Sequence, residues 1–212
     1  MLYLTGLTHD KPLMYVLRGE NGDLLIDTGN ALTVRQLDRW IRRNNFNIKW
    51  VLLTHGHYDH TWNARYLKQK YGASVIMHEK DKSLFCAMEN RPMYPTDNKH
   101  ALLVHIASKL VDAHVSPFCR VDKYLTDEDG EYLKNLGFDA EIVFLPGHTA
   151  GSVGVLSENV LYAGDAVSAV KGKYNTAFFG EDLNAIYDSE KKILEMNADV
   201  IAPGHGRPII KA

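Results

Sequence analysis

Short apolar runs punctuated by Gly, Asn and Asp alternate with stretches whose apolar residues recur at helical spacing, so the chain reads as strands and helices following one another. Met14 to Arg18 and Asp23 to Asp27, the latter carrying Leu24, Leu25 and Ile26, flank Asn21-Gly22 and predict a β-hairpin. Thr28-Gly29-Asn30 breaks the second strand. Leu32, Leu37, Trp40 and Ile41 then predict a helix through Asn44 that covers the sheet. Ile48 to Thr54 predicts a strand, Trp62, Tyr66 and Leu67 a helix ending near Gly72, and Ala73 to Met77 another strand. In the second half, strands are expected at Ile142 to Leu145, Val153 to Leu156 and Val160 to Ala163, a helix at Leu183 to Met196 and a last strand at Val200-Ile201-Ala202.

The stretch from Asp81 to Asp122 has no single period and is interrupted by Pro92 and Pro95, although Leu102, Leu103, Ile106 and Leu110 predict a helix within Lys99 to Val111. It reads as an insert whose helix either simply covers the core or forms a lid over a functional site. No repeat, low-complexity tract or Pro/Gly/Ser-rich linker divides the chain, so residues 1–212 are expected to form one α/β domain.

Composition narrows the function. With 24 basic against 26 acidic side chains the formal charge is −2, which offers no overall basic field for a nucleic-acid backbone. Cys86 and Cys119 are too few for a disulfide framework and read as ordinary buried thiols. His9, Asp10 and Lys11 interrupt the opening apolar residues, and no uncharged stretch approaches the roughly 20 residues that span a bilayer. A cytoplasmic protein acting on a small molecule, with neither a nucleic-acid nor a membrane partner, is the expectation.

The chemistry concentrates in His55-Gly56-His57-Tyr58-Asp59-His60. In an extended stretch His55 and His57 point the same way, and Asp59 and His60 follow as the chain turns, which suits metal ligation by imidazole and carboxylate. Such donors suit zinc, and iron or manganese as well. His148, Asp165 and His205 each stand beside glycine at the end of an expected strand, on loops where a scaffold presents function.

Together these segments resemble the metallo-β-lactamase superfamily, in particular its glyoxalase-II-like hydrolases. The matching motifs are Asp27-Thr28-Gly29, Thr54 to His60, Pro146-Gly147-His148-Thr149-Ala150-Gly151-Ser152, Gly164-Asp165 and Pro203-Gly204-His205-Gly206. The resemblance implies a four-layer αββα sandwich of two mixed sheets with helices outside. It also implies that His55, His57 and His148 hold one metal, that Asp59, His60 and His205 hold a second, and that Asp165 bridges the pair. Two divalent ions, zinc foremost, would then supply a metal-bound hydroxide that attacks a small thioester, ester or lactone, with Asp59 orienting the water or accepting its proton. Asp27 is expected behind the ligands, fixing their loop by hydrogen bonds. Lys171, Lys173 and Tyr174, just past Asp165, are the expected substrate contacts.

Other readings of the same residues are an iron-dependent, sulfur-dioxygenase-like oxidoreductase, a phosphodiesterase or nuclease, and a metal-binding protein without catalysis. His9, His78, His100, His105 and His114 have no ligand-like neighbours in sequence and read as surface or core histidines, and Asp127 to Glu131 as a charged turn rather than a calcium loop.

Overall fold

The computed structural model describes residues 2–6, 12–86, 91–97, 117, 119–170 and 173–211. The expected helix at Lys99 to Val111, His9, His100, His105, His114 and Lys171 fall outside them.

The hairpin forms as expected from β2 (Leu13–Leu17) and β3 (Asp23–Ile26), antiparallel with Leu17 opposite Leu24. Strand β1 (Leu2–Thr5) flanks β2, and β4 (Ile48–Leu52), β5 (Ser74–His78) and β7 (Lys123–Leu125) extend the sheet in parallel from β3. A second sheet runs in the order β14 (Ile209–Ile210), β13 (Val200–His205), β10 (Val160–Val170), β9 (Val153–Ser157), β8 (Ala140–Phe144), with β11 (Lys173–Thr176) paired to the far end of β10. A small ribbon joins β6 (Tyr94–Pro95) to β12 (Phe179–Gly180).

Strand side chains alternate between faces, and that period sorts the apolar residues into three cores. Met14, Val16, Leu25, Val51, Val75 and Met77 point outward from the first sheet, onto Leu37 and Ile41 of helix α1 (Val34–Arg43) and Leu67 of α3 (Ala64–Tyr71). Their neighbours Leu13, Tyr15, Leu24, Ile26, Leu52 and Ile76 point inward and meet Ile142, Val153, Val155, Tyr162 and Ala202 of the second sheet. Leu161, Ala163 and Ile201 leave that sheet on its far side, beneath Ile193 of the last helix (Leu183–Glu195). Helix, sheet, sheet, helix is therefore the layer order, the αββα sandwich expected. Among the described residues, no helix is long and apolar enough to cross a membrane.

Three local expectations change. The loop expected at the histidine cluster carries a single helical turn, α2 (Tyr58–Thr61), ahead of the expected helix, which forms as α3. Strand β10 does not stop at Ala163. It continues through Asp165 because β13 pairs along one side and β11 holds Val167 to Val170, while register shifts on either side of Gly164 mark a bulged stretch. Strand β13 likewise runs on to His205, which pairs with Ser168, so Asp165 and His205 sit on strands instead of free loops.

Candidate metal centre

The parallel strands β3 and β4 end side by side, and the residues just past them, Asp27 and Thr54-His55, meet there. Asp27 adopts φ +59°, a left-handed conformation that a non-glycine residue holds only where its surroundings fix it. Its carboxylate is the fixing point. Oδ1 accepts from the Thr54 amide at 2.8 Å, and Oδ2 accepts from the Thr54 hydroxyl and from His60 Nδ1, each at 2.8 Å. Since the Thr54 hydroxyl donates to Asp27, it accepts from His55 Nδ1 at 3.0 Å. One carboxylate thus holds the Nδ1 side of two rings, His60 directly and His55 through Thr54, and turns both Nε2 atoms toward the centre.

On the opposite sheet, His148 Nδ1 donates to the Phe179 carbonyl at 3.0 Å, which turns its Nε2 into the site. That atom faces His57 Nδ1 at 3.0 Å, and His55 Nε2 lies alongside, buried and without a hydrogen-bond partner. The unpartnered His55 Nε2 in a dry site carries an uncompensated cost that a cation held with His57 and His148 would remove.

The second group is acidic. His205 Nε2 lies 3.1 Å from His60 Nε2 and 3.2 Å from Asp59 Oδ2. Asp165 faces both groups, with Oδ1 3.4 Å from His60 Nε2 and Oδ2 3.6 Å and 3.4 Å from the Nε2 atoms of His148 and His205. The ligand atoms of His55, His57 and His148 lie within 4.8 Å of one another, as do those of Asp59, His60 and His205, and Asp165 forms a like group with His55 and His60. Close approach requires Gly204, whose Cβ, if present, would lie 2.0 Å from Asp165 Oδ1 and 2.8 Å from His60 Cε1.

Electrostatics separates the two groups. Burial, reinforced by neighbouring imidazoles, holds His55 well below the ordinary histidine pKa, and burial with His148 brings His57 down to about 3. At His60 and His205 burial works against charge, but Asp165, with Asp59 and at His60 also Asp27, outweighs it and raises both well above the ordinary value. Asp59 and Asp165 are in turn held below the usual carboxylate range despite burial, by His60 and His205. One end offers neutral donors and the other calls for positive charge. Both are what divalent cations need.

The remaining sequence expectations divide. Tyr174 packs in the outer core beneath the last helix, close to Glu190, which gives it a packing role in place of the expected substrate contact. Lys173 is exposed and pairs with Val170 at the end of β10. Cys119 is buried in the outer core of the first sheet, its Sγ 3.8 Å from the Arg120 carbonyl. His78 is buried, caps the turn that follows β5 and has Asp127 3.3 Å away. Sequence reasoning missed Thr54 as the relay between His55 and Asp27. It also missed Asp81, whose signal was its place just past β5, as Asp27 is past β3 and His55 past β4: functional groups gather at the carboxyl ends of parallel strands.

The comparisons with known proteins agree with this geometry. Residues 8–205 match the family described as the metallo-beta-lactamase superfamily. The chain is 33% identical over 193 residues to the hydroxyacylglutathione hydrolase GloC of Haemophilus influenzae, covering 88% of this chain and 81% of that protein. It is 30% identical over 197 residues to a probable metallo-hydrolase of Methanocaldococcus jannaschii, covering 91% and 86%. In fold it is similar to TTHA1623, solved in a di-iron-bound form, with a TM-score of 0.73, 24% identity and 99% and 94% of the two chains covered. It is also similar to the B3 metallo-beta-lactamase BLEG-1, with a TM-score of 0.70, 22% identity and the same coverage. Fold, site and relatives converge: the chain belongs to the metallo-β-lactamase superfamily and is one of its hydrolases.

Proposed function

We propose that the protein hydrolyses a small thioester, with simple esters and lactones as the neighbouring substrate classes, using two divalent metal ions. The observation that carries this reading is the convergence of His57 Nδ1, His148 Nε2 and the partnerless His55 Nε2 beside the acidic group of Asp59, His60 and His205. His55, His57 and His148 would hold one ion, Asp59, His60 and His205 the other, and Asp165 faces both. Zinc is the proposed metal, iron being the alternative raised by the di-iron form of TTHA1623. When bound, such a pair supplies a water deprotonated near neutral pH and a Lewis acid for the substrate carbonyl.

The protein's own groups do the rest. Asp27, directly at His60 and through Thr54 at His55, holds each Nδ1 and so aims the two Nε2 atoms at the centre. Asp59 is held ionised beside His205 and is 15% exposed, so it can orient an incoming water and take its proton. No side-chain nucleophile is needed, and Cys119 is sealed in the outer core. The preference for thioesters is supported by the relative in Haemophilus influenzae, a hydroxyacylglutathione hydrolase by name.

The test is turnover of metal-loaded full-length protein on a hydroxyacyl thioester, an aryl ester, a lactone, a β-lactam and a phosphodiester, beside chelator-treated protein and His57→Ala. Metal-dependent cleavage of the thioester, lowered at least about 100-fold by His57→Ala, is expected. Turnover confined to the phosphodiester, or none by protein of full metal content, would refute the reading.

A further inference from the structure

Behind the buried histidines lies a second carboxylate centre with no part in ligation. Asp81 is fully buried, at the end of the turn that follows β5. Its Oδ2 accepts from the Gly56 amide at 2.8 Å and from the Thr149 hydroxyl at 2.7 Å, and its Oδ1 accepts from the Gly151 amide at 2.8 Å. Gly56 lies between His55 and His57, and Thr149 follows His148. One carboxylate therefore clamps the two loops that carry the whole buried histidine trio, although those loops belong to different sheets.

The clamp has its own counter-charge. Arg91 Nη1 lies 3.4 Å from Asp81 Oδ1 and 3.2 Å from Glu181 Oε1, while Nη2 donates to the Lys80 carbonyl and the Ser83 hydroxyl at 2.7 and 2.6 Å. Glu181 accepts from the Ala150 amide at 2.8 Å, which grips the His148 loop from its other side. A buried carboxylate is tolerated only when paired and hydrogen-bonded, and here both conditions are met. The sequence makes room for it, because a Cβ on Gly151 would stand 2.7 Å from Asp81 Cγ and Oδ1.

We infer that Asp81, backed by Arg91 and Glu181, is a positioning residue that sets the spacing of His57 and His148 and so tunes one of the two metal positions selectively. The inference rests on the dinuclear reading above. The hydrogen bonds of Asp81 and Glu181 run to Gly56, Thr149, Gly151 and Ala150, all on the loops of the histidine trio. Their effect is therefore directed at the histidine trio, whereas Asp27 reaches a member of each group.

Metal-free full-length protein titrated with Zn2+ against a chromophoric chelator reads both affinities without any assay of activity. Wild type is expected to show two binding steps. Asp81→Asn places an amide NH2 against backbone donors, and one step should weaken by about 10–100-fold while the other moves less than about 3-fold. Thr149→Val, which removes a single bond to the clamp, should weaken the same step by a smaller factor and covers the case in which Asp81→Asn does not fold. Folded variants with both affinities unchanged, or with both weakened alike, would overturn the inference. A wild type that binds fewer than two ions fails the dinuclear reading instead, and that outcome is visible before any variant is made.

Discussion

The two ligand groups lie side by side yet are built on opposite plans. His55, His57 and His148 are 1%, 5% and 2% exposed, and burial keeps His55 and His57 neutral. In the other group Asp59 is 15% and His205 24% exposed, and carboxylates draw positive charge onto His60 and His205. A dry trio clamped between two loops would hold an ion rigidly. A partly open, acidic trio would leave room for water and substrate. The difference teaches that the candidate centre is asymmetric in burial and charge as well as in donors: one half is sealed by the fold and the other reaches solvent.

The strongest way to break that contrast is to remove what the halves share. Asp27→Ala deprives the Thr54 amide, the Thr54 hydroxyl and His60 Nδ1 of their buried acceptor. A loss of about 3 kcal/mol in denaturant unfolding is expected, together with loss of both metals in elemental analysis. Below that in effect, the halves should separate. His148→Ala removes a fixed ligand from the dry trio and is expected to leave about one ion per chain, with kcat/KM lowered at least about 100-fold. Asp59→Asn, at the open end, keeps an oxygen that can ligate and should retain more metal than His148→Ala while losing mainly kcat, by about 10²–10⁴-fold. Equal metal loss in these two variants, measured on one preparation series, would erase the distinction.

How far the sequence revealed all this depended on distance along the chain. The candidate ligands His55, His57, Asp59 and His60 were legible because they stand within one short segment, and His148, Asp165 and His205 because glycine and a strand end mark each one. The αββα layers followed from the resemblance, while the strands themselves were visible from their apolar runs. Asp81 was overlooked: its only local mark is its place just past a strand end, and its partners stand 25 to 70 residues away. Tyr174 was misassigned because nearness to Asp165 in sequence says nothing about the face on which a strand residue points, and the pairing of Ala169 with Tyr174 carries its ring into the outer core. The run of β10 through Gly164-Asp165 was hidden for a similar reason, since the glycine signals a break but the pairing of β10 with β13 and β11 overrides it.

The central claim is that seven side chains from both sheets hold two metal ions. Elemental analysis of purified, fully active wild-type protein, combined with anomalous diffraction at the metal edges, tests it directly. Two ions per chain are expected, one at His55, His57 and His148 and one at Asp59, His60 and His205, with Asp165 touching both. Full activity with one ion or none, or a metal found away from these residues, would contradict it.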